Sequence, residues 1–276
     1  MPRNAGRLDV PKGNTSPVLV EEKKSILDFV TPTEFVEIPT KGRFYPDGHP
    51  LHNVETIEIR HMTAKETDIL TSKSLLKKGI AIDRMLENVI VDQNIKVNDL
   101  FVGDKNALIV ASRINGFGND YETKVTCASC GETTKTVFDL NEVNVKELDE
   151  ETNISEGGTF VITLPKTGVE AECRLIDGHD EKRMVKGAEK KKKLNLPDTS
   201  LTDQLKFIIV SLNGETDRGL VEKFIDLMPA MDSNYLRKQY ERVSPNVDMK
   251  NDFTCSSCGA DAIIDIPFST SFFWPD

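Results

Sequence analysis

Two stretches of the sequence, Val125-Thr-Cys-Ala-Ser-Cys-Gly-Glu132 and Phe253-Thr-Cys-Ser-Ser-Cys-Gly-Ala260, share one pattern and decide the fold. We call each Cys-x-x-Cys-Gly turn a knuckle. Two thiolates three positions apart can bind one tetrahedral ion when the chain turns tightly between them, and the glycine permits the positive φ that completes such a turn. Backbone amides in the turn can also point at the sulfur atoms and disperse their charge. Since a strand-like segment follows each knuckle, the pattern predicts an internal repeat of a metal-binding unit.

Together the two knuckles supply four thiolate ligands, Cys127, Cys130, Cys255 and Cys258. Four cysteine ligands form a closed tetrahedral site, which favours structural zinc because no position is left for a substrate. However, 124 residues lie between Cys130 and Cys255, whereas a compact zinc ribbon has a much shorter gap. One shared zinc therefore implies that a whole subdomain is inserted into the ribbon. The alternatives are a thioredoxin-like redox pair, which should occur once and follow a β-α-β pattern, and a disulfide.

The composition is that of a soluble globular protein with an acidic balance. The 276 residues include 35 Lys+Arg and 45 Asp+Glu, for a formal net charge of −10, whereas nucleic-acid binding normally requires a basic footprint. The longest apolar runs, such as 107–111, are too short to span a bilayer, and residues 1–14 contain no apolar signal core. The fifth cysteine, Cys173, lies on the apolar face of a predicted strand, so a buried structural thiol is favoured over a reactive one.

Motifs for nucleophilic catalysis or cofactor binding are lacking in the sequence. The four histidines, at positions 49, 52, 61 and 179, form no catalytic or metal-binding array, and Gly116-Phe-Gly118 is too short for a nucleotide-binding loop. His49 and His52 could share a metal, but the Pro/Gly-rich loop around them offers no evident third ligand. We therefore expect a protein that is not an enzyme.

Composition shifts divide the chain into three predicted parts. Residues 1–28 mix Pro, Gly, Asn, Ser and charge, which is typical of a flexible arm; it is either a tail without function or an arm that orders on a partner. Residues 29–120 predict a mainly helical domain. Residues 121–276 predict a zinc-knuckle domain with an inserted hairpin and helices over about 141–250. The expected fold class is α+β: a helical core with short strands and hairpins, plus a four-cysteine zinc-ribbon-like module split by a long insertion.

Capping signals and hydrophobic periodicity place the individual elements. Thr63-Ala-Lys-Glu66 matches a capping box that begins a helix ending before Gly79. Residues 29–52 predict an ordered loop laid on a core, because prolines and glycines alternate with aromatic residues. The remaining elements are a strand over 54–60, a hairpin of 159–165 with 169–176, and helices over 81–91, about 104–115, 179–193, 198–212, 218–227 and 233–243.

Two charged or aromatic segments leave alternatives open. Residues 182–193 carry seven basic side chains, for which a solvated helix face is favoured over a docking patch for an acidic partner or a phosphate backbone. Near the end of the chain, Phe272, Phe273 and Trp274 form the best candidate for partner binding. They either dock into a groove of a neighbouring protein or fold back onto the core beside the knuckle.

Several stretches resemble the baseplate hub and tail-assembly proteins of T-even-type, contractile-tailed bacteriophages. They are TEFVEIPTKGRFYPDGHPLH (33–52), IEIRHMTAKETDIL (57–70), LLKKGIAIDRMLENVI (75–90), FIDLMPAMDSNYLRKQY (224–240), the two TCxSCG knuckles and the final FFWPD (272–276). The resemblance covers nearly all of residues 30–276, and the region 141–200 matches least clearly. Its specificity comes from the combination of these stretches rather than from any single one.

The resemblance implies a late structural or assembly protein, made in the cytoplasm of the infected bacterium and used to build the central hub of the baseplate. It implies binding to other hub and tail proteins, with the tape-measure protein as a candidate, and it supplies no catalytic residues. Whether such a protein stays in the virion or only assists assembly is left open, as is a homo-oligomer. Nucleic-acid and membrane partners are not expected.

A zinc-ribbon protein that binds nucleic acid, for example in transcription, is the main rival. Such a protein needs basic and aromatic residues on the ribbon. Around the knuckles, however, basic and acidic side chains offset one another: Lys124, Lys135 and Lys250 against Glu122, Glu132, Asp252 and Asp261. The charge pattern therefore favours protein partners.

Overall fold

Short antiparallel strands and α-helices alternate along the chain. The computed structural model describes residues 31–146, 148, 152–266 and 272–273. The predicted arm over 1–28 and Trp274 lie outside these residues, so neither is placed. From Pro32 onward the chain forms one compact unit.

The described residues contain eight α-helices and several small sheets, a mixed α+β fold. The helices are α1 (Ala64–Thr71), α2 (Lys73–Lys77), α3 (Ala81–Val89), α4 (Val102–Phe117), α5 (Gly178–Lys193), α6 (Ser200–Ile208), α7 (Arg218–Leu227) and α8 (Ala230–Val243). The strands are β1 (Thr33–Glu37), β2 (Thr56–Arg60), β3 (Asp120–Thr126), β4 (Thr133–Asp139), β5 (Asn144–Lys146), β6 (Thr159–Thr163), β7 (Glu170–Arg174), β8 (Ile209–Leu212), β9 (Asn246–Asp248), β10 (Lys250–Thr254) and β11 (Asp261–Asp265). Their antiparallel sheets are β1–β2, β3–β4, β5–β9, β6–β7–β8 and β10–β11.

Most predicted elements are confirmed, and three differ in extent. The helix predicted over 198–212 ends at Ile208, because the chain turns extended there and β8 pairs with β7. The helix that begins at the Thr63 capping box is interrupted at Ser72, which separates α1 from α2. The predicted loop over 29–52 includes β1, and the rest of its described part, residues 31–52, is ordered as expected, with Phe44 and Tyr45 almost fully buried.

Two hydrophobic clusters form the core. The first combines β1–β2, α3 and α4 with both knuckle hairpins, β3–β4 and β10–β11. The second lies among β6–β8 and α6–α8 and receives Phe44 from the first half of the chain. The knuckle hairpins thus share a core with the first helices, while the inserted hairpin and helices have a core of their own. The predicted domain boundary between residues 120 and 121 stays a prediction.

Beyond the knuckles, the chain consists of two tandem repeats of one arrangement, which we call the first repeat (33–140) and the second repeat (159–266). Each begins with a hairpin and a helix that starts in a capping box. The residue directly after α3 in the first repeat, and after α6 in the second, pairs with the second strand of that hairpin: Ile90 with Ile59, and Ile209 with Cys173. The short helix α2 precedes α3 in the first repeat. A further helix then precedes the long helix α4 or α8: a 3-10 helix (Val97–Asp99) in the first repeat and α7 in the second. The knuckle hairpin follows the long helix, with β9 between α8 and β10 in the second repeat.

An ion pair between a half-buried arginine and a buried carboxylate recurs at the same place in both repeats. At the end of β2, Arg60 lies 2.7 Å from the carboxylate of Glu66 in the first turn of α1. At the end of β7, Arg174 lies 2.7 Å from the carboxylate of Asp180 in the first turn of α5. Both carboxylates are fully buried, and both also complete the capping box of their helix. Each pair therefore fixes the angle between the hairpin and the first helix of its repeat.

A second recurring feature is a buried aspartate near the start of the long helix. In the first repeat, Asp104 accepts hydrogen bonds from the amide (3.0 Å) and hydroxyl (2.7 Å) of Thr40, in the turn Ile-Pro-Thr-Lys-Gly (38–42). In the second, Asp232 accepts two amide hydrogen bonds of 2.7 and 3.0 Å from the turn Leu-Pro-Lys-Thr-Gly (164–168). From these aspartates to the knuckle glycines, the repeats align without a gap at a spacing of 128 residues.

Candidate metal centre

Each knuckle is the tip of a two-stranded hairpin. In the first, the Cys127 amide donates to the carbonyl of Glu132, and the Gly131 amide donates to the carbonyl of Cys127, both at 2.9 Å. The corresponding bonds of the second knuckle measure 2.9 and 2.8 Å. Gly131 and Gly259 have φ angles of 74° and 70°, which side chains rarely tolerate. The glycine therefore closes each turn as the sequence predicts.

The two hairpin tips bring the four predicted ligands together. The Sγ atoms of Cys127 and Cys258 are 3.8 Å apart, those of Cys130 and Cys255 are 3.7 Å apart, and all four lie within 4.8 Å of one another. Zinc–sulfur bonds of about 2.3 Å in a tetrahedron require sulfur–sulfur distances of about 3.8 Å. The geometry of the thiols thus fits a tetrahedral ion, and each close pair joins one sulfur atom from each repeat.

Hydrogen bonds within the cluster favour ionised sulfur at one position and oppose it at another. The backbone amides of Cys258 and Ser257 lower the pKa of Cys255 to about 7. At Cys130, the amide of Glu132 also favours the thiolate, but the neighbouring thiols outweigh it and raise the pKa to about 12. Four close sulfur atoms therefore cannot all ionise unless a cation shares their charge.

The remaining metal candidates do not form a comparable cluster. Within the described ranges, the four knuckle cysteines are the one group of cysteine, histidine and acidic side chains whose ligand atoms converge sufficiently to hold a metal ion. His49 stacks on Tyr45, with ring centroids 4.5 Å apart, and His52 lies 3.0 Å from a carboxylate oxygen of Asp47. Cys173 is fully buried, and burial raises its pKa to about 12, which agrees with a structural thiol.

Two of the three predicted partner-binding residues lie in the protein's own core. Phe272 and Phe273 are 0% and 1% exposed, and the Phe272 ring packs 5.2 Å from that of Tyr121. The buried guanidinium of Arg113 donates through Nε to the Phe272 carbonyl at 3.0 Å. This placement corresponds to the alternative in which the segment folds back beside the knuckle. Contact with a partner stays a prediction, which would require the segment to leave this site.

The basic segment forms most of α5. Its side chains are largely exposed at the C-terminal end of the helix, where Lys190 to Lys193 favourably face the helix dipole. Two of its lysines are paired, Lys182 with Asp83 at 2.8 Å and Lys191 with Asp203 at 2.5 Å. The positions of these charges therefore agree with the predicted solvated helix face.

Comparison with known proteins identifies one family. The model of the family described as T4 bacteriophage base plate protein matches residues 33–274, a range that includes both repeats and all four knuckle cysteines. Neither the curated proteins nor the solved structures give a match to the chain. Among the described residues, none of the helices has the length and apolar character needed to cross a membrane.

Proposed function

Because the chain belongs to the family of T4 bacteriophage base plate proteins, we propose that it is a non-enzymatic structural or assembly factor of the baseplate hub. The observation that carries the proposal is the family match over residues 33–274. The site supports it, because four thiols fill a tetrahedral coordination sphere and leave no position for a substrate. A cluster of this kind holds parts of a protein together.

The metal in this proposal is a structural zinc held by Cys127, Cys130, Cys255 and Cys258. Bound zinc would supply a cross-link between the two hairpins, and hence between the two repeats. The thiol spacing of 3.7 and 3.8 Å supports zinc, since these two sulfur–sulfur distances match the edge length of a ZnS₄ tetrahedron. In a zinc-ribbon-like module of this design, the inserted residues are tied at both ends by the metal.

The partners in this proposal are other proteins of the phage tail. The chain would be made in the cytoplasm of the infected bacterium and would join the baseplate of the virion, with the hub and the tape-measure protein as candidate neighbours. Its net charge of −10 favours protein partners over nucleic acid.

Deletion of the gene tests the proposal. We expect infected cells to accumulate incomplete baseplates in electron micrographs, and a plasmid copy of the intact gene to restore them. Normal baseplates after deletion would refute the proposal. A salt-sensitive gel shift with the purified protein would instead favour the zinc-ribbon nucleic-acid-binding alternative.

A further inference from the structure

The turn between α5 and α6 presents basic and apolar side chains together. We call residues 190–201 the basic tip; it begins with four consecutive lysines, Lys190 to Lys193, in the last turn of α5. Three leucines follow, and each is more than half exposed: Leu194 by 58%, Leu196 by 53% and Leu201 by 54%. The helix dipole favours lysines at this position, but it does not favour three leucines in water. A cluster of exposed apolar side chains among polar ones is typical of a surface that binds another molecule.

Hydrogen bonds hold the basic tip in one shape. The amide of Leu194 donates to the carbonyl of Lys190 at 3.1 Å. The amide of Leu196 donates to the carbonyl of Lys191 at 3.0 Å. The ammonium group of Lys191 also joins the two helices, because it lies 2.5 Å from the carboxylate of Asp203 in α6. The exposed leucines therefore stand on an ordered turn, and a partner that covers them need not order the backbone first.

The charge of this surface is opposite to that of the chain as a whole. Residues 182–203 carry seven basic side chains and three acidic ones, a net charge of +4, whereas the whole chain has a net charge of −10. Two of the three carboxylates already have partners: Asp203 binds Lys191, and Asp198 accepts a hydrogen bond of 2.9 Å from a backbone amide of α6. The third, Glu189, is exposed. Among the described residues, no carboxylate forms an ion pair with the other lysines of the basic tip, which are Lys190, Lys192 and Lys193.

We propose that the basic tip binds an acidic segment of a neighbouring tail protein that also carries apolar side chains. Carboxylates of that segment pair with Lys190, Lys192 and Lys193, and its apolar side chains cover the three leucines. Burial of the leucines supplies affinity, while the lysines select acidic partners over basic ones. The identity of the partner as a tail protein rests on the proposed function; the chemistry of the basic tip does not.

Nucleic acid and an anionic membrane are the other polyanions that lysines attract. Nucleic acid would pair its phosphates with the lysines but leave the leucines in water, and the basic tip contains no aromatic side chain on which a base can stack. A membrane surface accepts leucines, but its anionic headgroups would also meet Glu189 and Asp198. A protein segment, in contrast, can place its carboxylates opposite the lysines alone.

Peptide binding to the intact, metal-loaded protein tests the basic tip directly. The probe is the fluorescein-labelled peptide Asp-Glu-Leu-Asp-Glu-Leu-Leu-Glu-Asp, and its binding is followed by fluorescence anisotropy. We expect binding that weakens as the salt concentration rises from about 50 to about 500 mM. A second probe, in which lysine replaces every acidic residue, should not bind. Absence of binding of the acidic probe at about 1 mM, or equal binding of both probes, would overturn the proposal.

Two variants separate the contribution of the charges from that of the leucines. One reverses three charges together (Lys190→Glu, Lys192→Glu and Lys193→Glu), and the other removes two leucines (Leu194→Ser and Leu196→Ser). Each should weaken binding of the acidic probe roughly tenfold or more. Since all five side chains are exposed, both variants should fold. Unchanged affinity in either variant would overturn the proposal.

The matched controls make the same changes at exposed residues elsewhere. They are the combined charge reversal Lys73→Glu, Lys77→Glu and Lys78→Glu, and the combined leucine replacement Leu220→Ser and Leu227→Ser. Each control should leave the affinity within about threefold, because distant exposed charges are screened by salt. Losses in the controls equal to those in the variants would overturn the proposal.

Duplex DNA and vesicles containing phosphatidylglycerol test the other two classes of ligand. We expect the charge reversal at the basic tip to leave any binding of either ligand unchanged. If DNA or vesicles bind more tightly than the acidic probe and the charge reversal abolishes that binding, the basic tip belongs to that ligand and the proposal is overturned.

Photo-cross-linking in infected cells identifies the natural occupant. Benzoylphenylalanine at position 196 should capture a segment of another tail protein that is acidic and contains apolar residues, whereas the same group at position 220 should not. Capture of a second copy of this chain, of a basic segment or of a protein outside the tail would overturn the proposal, as would a lack of any cross-link. The baseplate phenotype of the deletion is scored separately, so failure of the basic tip and failure of the proposed function are distinguishable.

Discussion

Replacement of the two buried phenylalanines near the end of the chain should destabilise the whole protein. Phe272 and Phe273 are 0% and 1% exposed, and removing a buried phenylalanine side chain typically costs about 3–5 kcal/mol. Their ring centroids are 5.8 Å apart, so the two losses are coupled and should sum to less than the separate values, to about 6 kcal/mol. The cost is a large fraction of the 5–15 kcal/mol typical of a folded domain.

Urea unfolding followed by circular dichroism, at constant zinc concentration, measures this effect. Phe272→Ala and Phe273→Ala should each lower the free energy of unfolding by about 3–5 kcal/mol. The matched control is Phe35→Ala, because that phenylalanine is 69% exposed and its loss should cost about 0.5 kcal/mol or less. If Phe272→Ala lowers the free energy of unfolding by less than about 1 kcal/mol, the segment is not part of the core. That result would favour the alternative in which the segment docks into a groove of a neighbouring protein.

Three further perturbations probe the charged sites and the metal. Burial raises the pKa of Asp104 to about 6 despite its hydrogen bonds, so the folded state holds a proton that the unfolded chain releases near pH 4. The free energy of unfolding should therefore fall by about 3 kcal/mol between pH 4 and 6, and Asp104→Asn should remove most of this pH dependence. If urea titrations show the same pH dependence of unfolding free energy for the variant and the unaltered protein, the assignment to Asp104 is contradicted. At Glu66, burial opposes ionisation, but the hydrogen bonds of Arg60 prevail and hold the pKa at about 2. Its contribution should be present above about pH 4.5 and lost as the pH falls toward 2, and Glu66→Gln should remove that dependence in acid-unfolding curves. Cys255→Ser should abolish tight zinc binding and lower the melting temperature, whereas Cys173→Ala should retain one zinc per chain; unchanged thermal stability of the zinc-free Cys255→Ser variant would contradict the cross-link.

Local signals in the sequence were sufficient to predict the β6–β7 hairpin and the candidate site, but not the β1–β2 hairpin, because β1 lies in a segment predicted as a loop. The Cys-x-x-Cys-Gly spacing itself dictates a tight turn, and the capping box at Thr63 specifies a helix start within four residues. The convergence of the two knuckles also followed, since one tetrahedral ion needs all four thiols. None of these inferences required knowledge of distant contacts.

The larger repeat was missed because few of its residues are identical. Its strongest markers are single polar residues, Asp104 with Asp232 and Arg60 with Arg174, whose meaning depends on burial and on partners far away in sequence. The turns between the first two strands of each repeat also differ greatly in length, 18 residues in the first and 6 in the second, which hides the correspondence. A search for the spacing of 128 residues, starting from the knuckles, would have found the aspartates.

The strand β8 was missed because helical periodicity continues through it. Leu205, Ile208, Ile209 and Leu212 suit one helix face, yet the backbone of Ile209 pairs with β7. That pairing is a tertiary contact, which overrides local preference. The position of the aromatic end was likewise undetermined by sequence, since Phe272 and Phe273 suit a core and an external groove equally well.

X-ray absorption spectroscopy at the zinc edge, combined with metal analysis of the purified protein, tests the central claim most directly. We predict one zinc per chain, surrounded by four sulfur atoms at about 2.3 Å. A disulfide in place of the metal, a coordination shell containing nitrogen or oxygen, or protein that folds fully without zinc would contradict the account in which one metal ion joins the two repeats.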